Sequence, residues 1–359
     1  MMRLLKFLLT YNLKNSQPSR KVGGFTLIEL LVGLALAFLI ITPLLGFVVN
    51  MLQTDRQEQA KATSEQEIQT ALDYIARDLD QSFFIYDAWG LNEIKDKLPK
   101  IEDAIAGAKG EPVLVFWKRQ FLRKALPIRG KTINDCPTDL KNCDDAFVYS
   151  LVSYYLIKDN TCNNSTWSCT TRIGRIELKD ALYDVNNRPN QPVSDKYEAS
   201  PGLVSISKLL EQTGTLEDQL NDWTKGIPQS SYDYSKGPKV EILIDYIDQS
   251  TGPDVPQPAC SEETRPKDAA RPDGKRFPAA YEYRQVPKLV KPEFETGSFY
   301  ACVDTDQTVA QVFIRGNALA RTRSKANTPT YVPSQSAYFP RANVQAQGRG
   351  LLKPNQSSQ

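Results

Sequence analysis

The sequence predicts an α+β protein in which one long amino-terminal helix, membrane-spanning over its first half, packs on an antiparallel β-sheet with long, disulfide-tied loops. Three observations carry this. Leu30 to Val49 is a 20-residue run without a charge. Beyond it an apolar stripe recurs at helical spacing, and from Pro112 onward come six runs with strand character.

In chain order, residues 1–24 form a basic leader with Arg3, Lys6, Lys14, Arg20 and Lys21 and no acid. Residues 25–52 read as the membrane segment. Twenty helical residues cover about 30 Å, the thickness of a hydrocarbon core. The basic side should stay in the cytoplasm, which sends the rest of the chain outward. A secretory signal peptide fits less well, because its apolar region is shorter and a small-residue cleavage site follows it. Glu29 is the only charge between Phe25 and Asp55. An acid inside an apolar span is costly unless paired, so Glu29 asks for a partner; the plainer alternative is snorkelling toward the headgroups. Pro43 removes one backbone hydrogen bond and should kink or loosen the span.

Residues 53–84 continue the helix. Ile68, Leu72, Ile75, Leu79 and Phe83 make one apolar stripe, and residues 53–83 contain neither proline nor glycine. A single rod of about 59 residues, on the order of 88 Å, is expected. The stripe reads as core packing, not as a cofactor site.

Residues 85–320 should be an extracytoplasmic β-rich domain. The strand candidates are Pro112–Trp117, Ala146–Lys158, Arg172–Leu178, Val240–Ile247, Phe299–Asp304 and Val309–Arg315. Short helices are expected near Ile206–Leu210 and Leu216–Trp223, and the proline-rich stretch 251–278 reads as a long loop. Residues 321–359 hold six basic residues, no acid and many Gln, Asn, Ser and Pro, and read as a basic flexible tail. That tail suits either an anionic partner such as an acidic polysaccharide or no binding role.

All six cysteines lie beyond the membrane segment, where an oxidising environment favours disulfides. Fifteen connectivities are open to six cysteines; the neighbour pairing joins Cys136 to Cys143, Cys162 to Cys169, and Cys260 to Cys302. In a loop-entropy model the short loops contribute about 2.5 kcal/mol each and the long one about 4 kcal/mol. The gaps are too wide for the usual zinc ligand spacing. No metal site is expected. Asp304 and Asp306 are weak calcium candidates, and a lone D-x-D more often makes a solvated turn.

With no histidine in 359 residues, imidazole-based catalysis and His-ligated zinc are excluded. No P-loop, dinucleotide fingerprint or nucleophile elbow is present. Neither an enzymatic activity nor a cofactor is expected, and a formal charge of +2 argues against nucleic-acid binding. That total conceals unlike segments. Without the leader the balance is 39 basic against 42 acidic residues, and residues 25–320 hold 33 against 42.

The run Gly23-Gly24-Phe25-Thr26-Leu27-Ile28-Glu29-Leu30-Leu31-Val32, behind a basic leader, closely resembles the processing site of type IV pilins and the pseudopilins of type II secretion. The resemblance implies cleavage after Gly24 by a prepilin peptidase and N-methylation of Phe25. It also implies that Glu29 pairs with the terminal amine of a neighbouring subunit, setting the register between packed helices. Other pilins or pseudopilins and an inner-membrane assembly platform would be the partners, with a separate ATPase driving assembly. A chain this long, with Ala71–Leu79 resembling the same helix in larger minor pilins and the type II secretion J-type pseudopilin, looks like a minor subunit. The stretch Ser298–Arg323 resembles the end of cyanobacterial pseudopilins of the HpsC type, associated with hormogonium polysaccharide secretion, which implies roles in polysaccharide export and gliding motility. The alternatives are a pseudopilin serving protein secretion, DNA uptake or pilus initiation, and a membrane-anchored extracellular sugar-binding protein or enzyme.

Overall fold

A computed structural model describes residues 24–137, 140–159, 166–203, 205–209, 216–221, 239–260, 264–265, 281–282, 284–288, 291–323 and 328–350. The chain divides into two compact units at Asp55. Through the first runs the start of helix α1, Leu27–Leu79, whose 53 residues continue into the second. Its apolar first half is long enough to cross a membrane and none of it is buried within the protein. Leu39, for example, is 73% exposed. The helix continues unbroken through Pro43. At the residue before it, the Thr42 hydroxyl donates to the Phe38 carbonyl one turn back, at 2.8 Å.

The second unit, from Arg56, is α+β. Helix α1 enters its core with Ile68, Ala71, Leu72, Ile75 and Leu79. The helix stops at Leu79, short of the Phe83 expected from the stripe. Ser82-Phe83-Phe84-Ile85 forms strand β1 instead, buried at every position. Two adjacent aromatics and an isoleucine favour a pleated, buried surface over a helix end. After β1 come the short helices α2, Ala88–Ile94, and α3, Ile101–Ala104. Asp87 caps the first, accepting the Gly90 N–H at 2.7 Å.

The two longest strands follow, β2 at Ala108–Pro127 and β3 at Cys143–Asp159. They pair antiparallel from Ala108↔Asp159 to Pro127↔Cys143. Strand β4, Thr171–Lys179, adds to β3. A small ribbon of β5, Tyr183–Asp184, and β6, Arg188–Pro192, leads to helices α4, Ile206–Leu209, and α5, Leu216–Asn221. Strand β7, Glu241–Ile247, closes the first sheet at its edge, in the order β1-β2-β3-β4-β7. A two-residue ribbon joins β8, Thr264–Arg265, to β9, Tyr281–Glu282, and the rest of the expected proline-rich loop after Cys260 lies outside the described residues.

Strands β10, Gln285–Val286, β11, Phe299–Asp304, β12, Val309–Arg315, and β13, Arg341–Gln347, make a second antiparallel sheet in that order. The strands thus divide between two sheets where one was expected. A single bridge, Ile247↔Gly316, links β7 to the end of β12. Both sheets contribute to one apolar core with α1, including Trp117, Tyr154, Ile176, Val303 and Val312.

The carboxy-terminal region corrects the expectation of a flexible tail. Strand β13 pairs with β12 along its whole length, from Val309↔Gln347 to Arg315↔Arg341. Ala342, Val344 and Ala346 alternate with Arg341, Asn343, Gln345 and Gln347, and the small apolar set packs against the core. The period is that of a strand, but alanine contributes so little hydrophobicity that polar composition masked it. Beyond β13 the backbone is tied to the start of the first sheet. Arg349 N–H donates to the Asp80 carbonyl at 3.1 Å and Gly350 N–H to Ser82 at 2.9 Å. Glycine is required there, because a Cβ on Gly348 would run into the Ser82 backbone oxygen.

Gly348→Val is therefore expected to destabilise the full chain by about 1–3 kcal/mol through overpacking. Arg349→Ala, altering an exposed side chain, should stay within about 0.5 kcal/mol. Urea unfolding in detergent micelles, followed by circular dichroism, checks both.

Candidate functional site

The candidate processing and assembly site lies at the beginning of α1. Gly24, Phe25 and Thr26 precede the helix and are exposed. Phe25 is 79% exposed, so the bond between Gly24 and Phe25 sits in open, non-helical backbone. Thr26 starts the helix locally. Its Oγ1 accepts the Glu29 N–H at 3.3 Å, which satisfies a donor that a helix end leaves unpaired. Thr26-Leu27-Ile28-Glu29 has the sequence of a capping box, a local signal for the helix start that the sequence carries in Thr26 and Glu29 themselves. Glu29 lies in the first turn, where the positive end of the helix dipole favours a carboxylate. An amine created at Phe25 would stand at the same positive end, four residues away, and so would demand an anion in its turn.

In the second unit the functional requirement is to hold α1 on the sheet. Asp78 is buried in the stripe of α1, in the turn between Ile75 and Leu79. Its carboxylate accepts from Lys118 Nζ on β2 at 3.0 Å, from the Tyr154 hydroxyl on β3 at 2.9 Å, and from Arg175 Nε on β4 at 2.8 Å. Glu177, also on β4, completes the cluster, 3.0 Å from Lys118 and 2.9 Å from Arg175. Burial by itself would raise the Glu177 carboxyl, but the two cations hold it at about 2. Burial, reinforced by the Asp78 charge, pushes the Tyr154 hydroxyl well above its ordinary range, so it remains a donor. Two positive and two negative groups thus neutralise one another where an isolated charge would be costly.

A second buried pair, Arg315 with Asp248 at 2.9 Å, clamps the loops around β12. The same guanidinium donates to the carbonyls of Pro256 at 3.0 Å and Thr296 at 2.5 Å. Arg321, expected in the tail, pairs with Glu67 on α1 and donates to Ser64 Oγ at 2.9 Å. Periodicity could not find Asp78, because an acid within an apolar stripe reads as an interruption of it.

Cys136 is bonded to Cys143 at the start of β3, with Cα atoms 5.4 Å apart, and Cys260 to Cys302 on β11, at 5.5 Å. Cys169 is also disulfide-bonded, while Cys162 lies outside the described residues. Asp304 ends β11, and Thr305 and Asp306 open the turn that joins it to β12. The Asp304 carboxylate pairs with Arg284 at 3.1 Å and accepts the Gln307 N–H at 3.0 Å. No group of three or more His, Cys, Asp or Glu is placed to hold a metal among the described residues.

Comparison with known proteins bears on the helix start. Residues 19–45 match the family model described as the prokaryotic N-terminal methylation motif. The chain carries a prepilin-type methylation motif. The matched segment includes Gly24, Phe25, Thr26, Glu29 and Pro43, and it supports a membrane-anchored type IV pilin-like or pseudopilin chain processed by prepilin peptidase. No curated protein and no solved structure matches the chain.

Asp78→Ala should cost about 3–5 kcal/mol, because it leaves the two buried cations Lys118 and Arg175 with Glu177 as their one shared carboxylate. The acid response has a defined sign. Glu177 titrates lower in the folded protein than in the unfolded chain, so the unfolded state binds more protons in acid and stability falls as pH drops from about 4.5 toward 2. Glu177→Gln should flatten that fall, measured by urea midpoints at pH 5 and pH 3.

Proposed function

We propose that this protein is a minor pilin-like subunit of a type IV pilus-like or type II secretion-like machine. The observation carrying this reading is the methylation motif at a Thr26-capped helix start, followed by an apolar helix segment with no covering partner among the described residues. The leader stays cytoplasmic, prepilin peptidase cuts between Gly24 and Phe25, and Phe25 is N-methylated. The span anchors the chain in the membrane with its body on the outer side, then passes into the packed core of a filament. There an apolar neighbour replaces lipid without exposing the segment to water.

Glu29 acts as the register device. In hydrocarbon or a dry helix bundle its carboxylate is costly alone, and the terminal amine of Phe25 on an adjacent subunit supplies the opposite charge. A displacement along the helix by one turn breaks the pair, so the pair selects one stagger. Within this reading, the resemblance of Ser298–Arg323 to the hormogonium polysaccharide pseudopilins supports a place in polysaccharide export and gliding.

The deciding experiment is mass spectrometry of the mature amino terminus in cells with and without prepilin peptidase. N-methylated Phe25 is expected only where the peptidase is present, and an intact leader in assembled protein would overturn the proposal. Glu29→Ala should leave leader removal intact and reduce the chain's share of the sheared filament fraction at least about tenfold, as one lost buried ion pair predicts. Immunoblots of sheared and membrane fractions give that ratio.

A further inference from the structure

A cleft of about 500 Å³ lies in the second unit between α1 and strand β7, within the range of small-ligand sites. Three aromatic side chains from separate parts of the chain line it: Tyr74 on α1, Trp167 before β4, and Tyr246 on β7. Each ring has an arginine over one face. Arg175 stands 5.8 Å from the Tyr74 centroid, Arg172 lies 6.0 Å from that of Trp167, and Arg321 is 4.2 Å from that of Tyr246. Those cations hold the rings in place, and Arg321 itself lines the cleft beside Tyr246.

The backbone at Tyr246 is in the left-handed region, at φ +59°, which a bulky residue rarely adopts. It is held there locally: the Tyr246 N–H donates to Asp245 Oδ1 at 2.8 Å, and Asp245 is itself fixed by the Ser168 N–H at 2.8 Å. Such strain persists where the surroundings over-determine it, and it accumulates at ligand clamps.

Charge selects the ligand class. Arg321 is already paired with Glu67, and Arg175 with Asp78 and Glu177, so neither offers a free cation to an anion. Asp245 adds a negative charge beside the rings, and Gln66 and Thr70 add neutral polar groups. Aromatic faces with hydroxyl, amide and carboxylate groups between them suit a pyranose, which has apolar C–H faces and a polar rim. The geometry points to a binding site for a neutral oligosaccharide in this cleft. It is separate from the basic carboxy-terminal residues that suggested an acidic polysaccharide, and it acts whether or not the chain enters a filament.

The test uses the full chain in phosphocholine-detergent micelles, which carry no sugar headgroup, and isothermal titration calorimetry. The probes are maltohexaose, cellohexaose, chitohexaose and mannohexaose, with hexagalacturonate as the acidic comparison. At least one neutral hexasaccharide should bind with a dissociation constant of about 1 mM or below. Trp167→Ala and Tyr74→Ala should each weaken it about tenfold, while Phe121→Ala, an exposed ring outside the cleft, should not. Tyr74 is 43% exposed on the helix surface, so its variant carries the test if Trp167→Ala does not fold. No binding by any neutral probe, binding by hexagalacturonate alone, or affinity unchanged in both variants would overturn the site. Failure here leaves the mass-spectrometric test of processing untouched, because that test reads only the amino terminus.

Discussion

The carboxylate of Asp78 is the constraint on which the body depends. It stands on the only long helix among the described residues and draws donors from three consecutive strands of the first sheet, Lys118, Tyr154 and Arg175. Apolar contacts between Ile68, Leu72, Ile75, Leu79 and the sheets supply most of the burial, but such contacts are non-directional and tolerate sliding. A buried carboxylate does not tolerate it. One turn of displacement along α1 would separate Asp78 from all three donors, leaving a buried carboxylate alone and two cations with only Glu177 between them. The cluster therefore specifies where the helix sits on the sheet more than it adds to net stability.

The same principle recurs at the helix start, with the opposite occupant. Asp78 finds its cations within the chain, whereas Glu29 is exposed in the structure and has a backbone role beside Thr26. Around Glu29 the side chains are as apolar as a core, yet they are uncovered. A protein holding such a surface needs lipid or other helices around it, and an acid within it is costly unless a cation pairs with it. Membrane anchoring and assembly through this segment are two answers to one problem of desolvation.

The second sheet and its final strand show how long-range closure turns a polar ending into structure. Strand β13 is held by β12 on one side, and the chain beyond it is stitched to residues 80–82, where α1 gives way to β1. The last described residues thus secure the place where the helix ends. Arg315, buried with Asp248, and Arg321, bound to Glu67, do the same for the connecting loops. Basic residues that composition assigned to a solvated tail are in part structural.

What the sequence determined by itself were the features carried by local pattern: the apolar span, the motif around Gly24 and Glu29, the helical stripe, and the six main strands. Hydrophobic period and β-branched or aromatic content are properties of neighbours in the chain, so they can be read from it. Only the tertiary structure decided the division into two sheets, the strand at Arg341–Gln347, the end of α1 at Leu79, and the partners of Asp78. Each depends on residues far apart in sequence: Asp78 meets Arg175 across 97 positions. Nothing local distinguishes a buried carboxylate with three donors from a solvated one, because the difference lies entirely in what the fold brings to it.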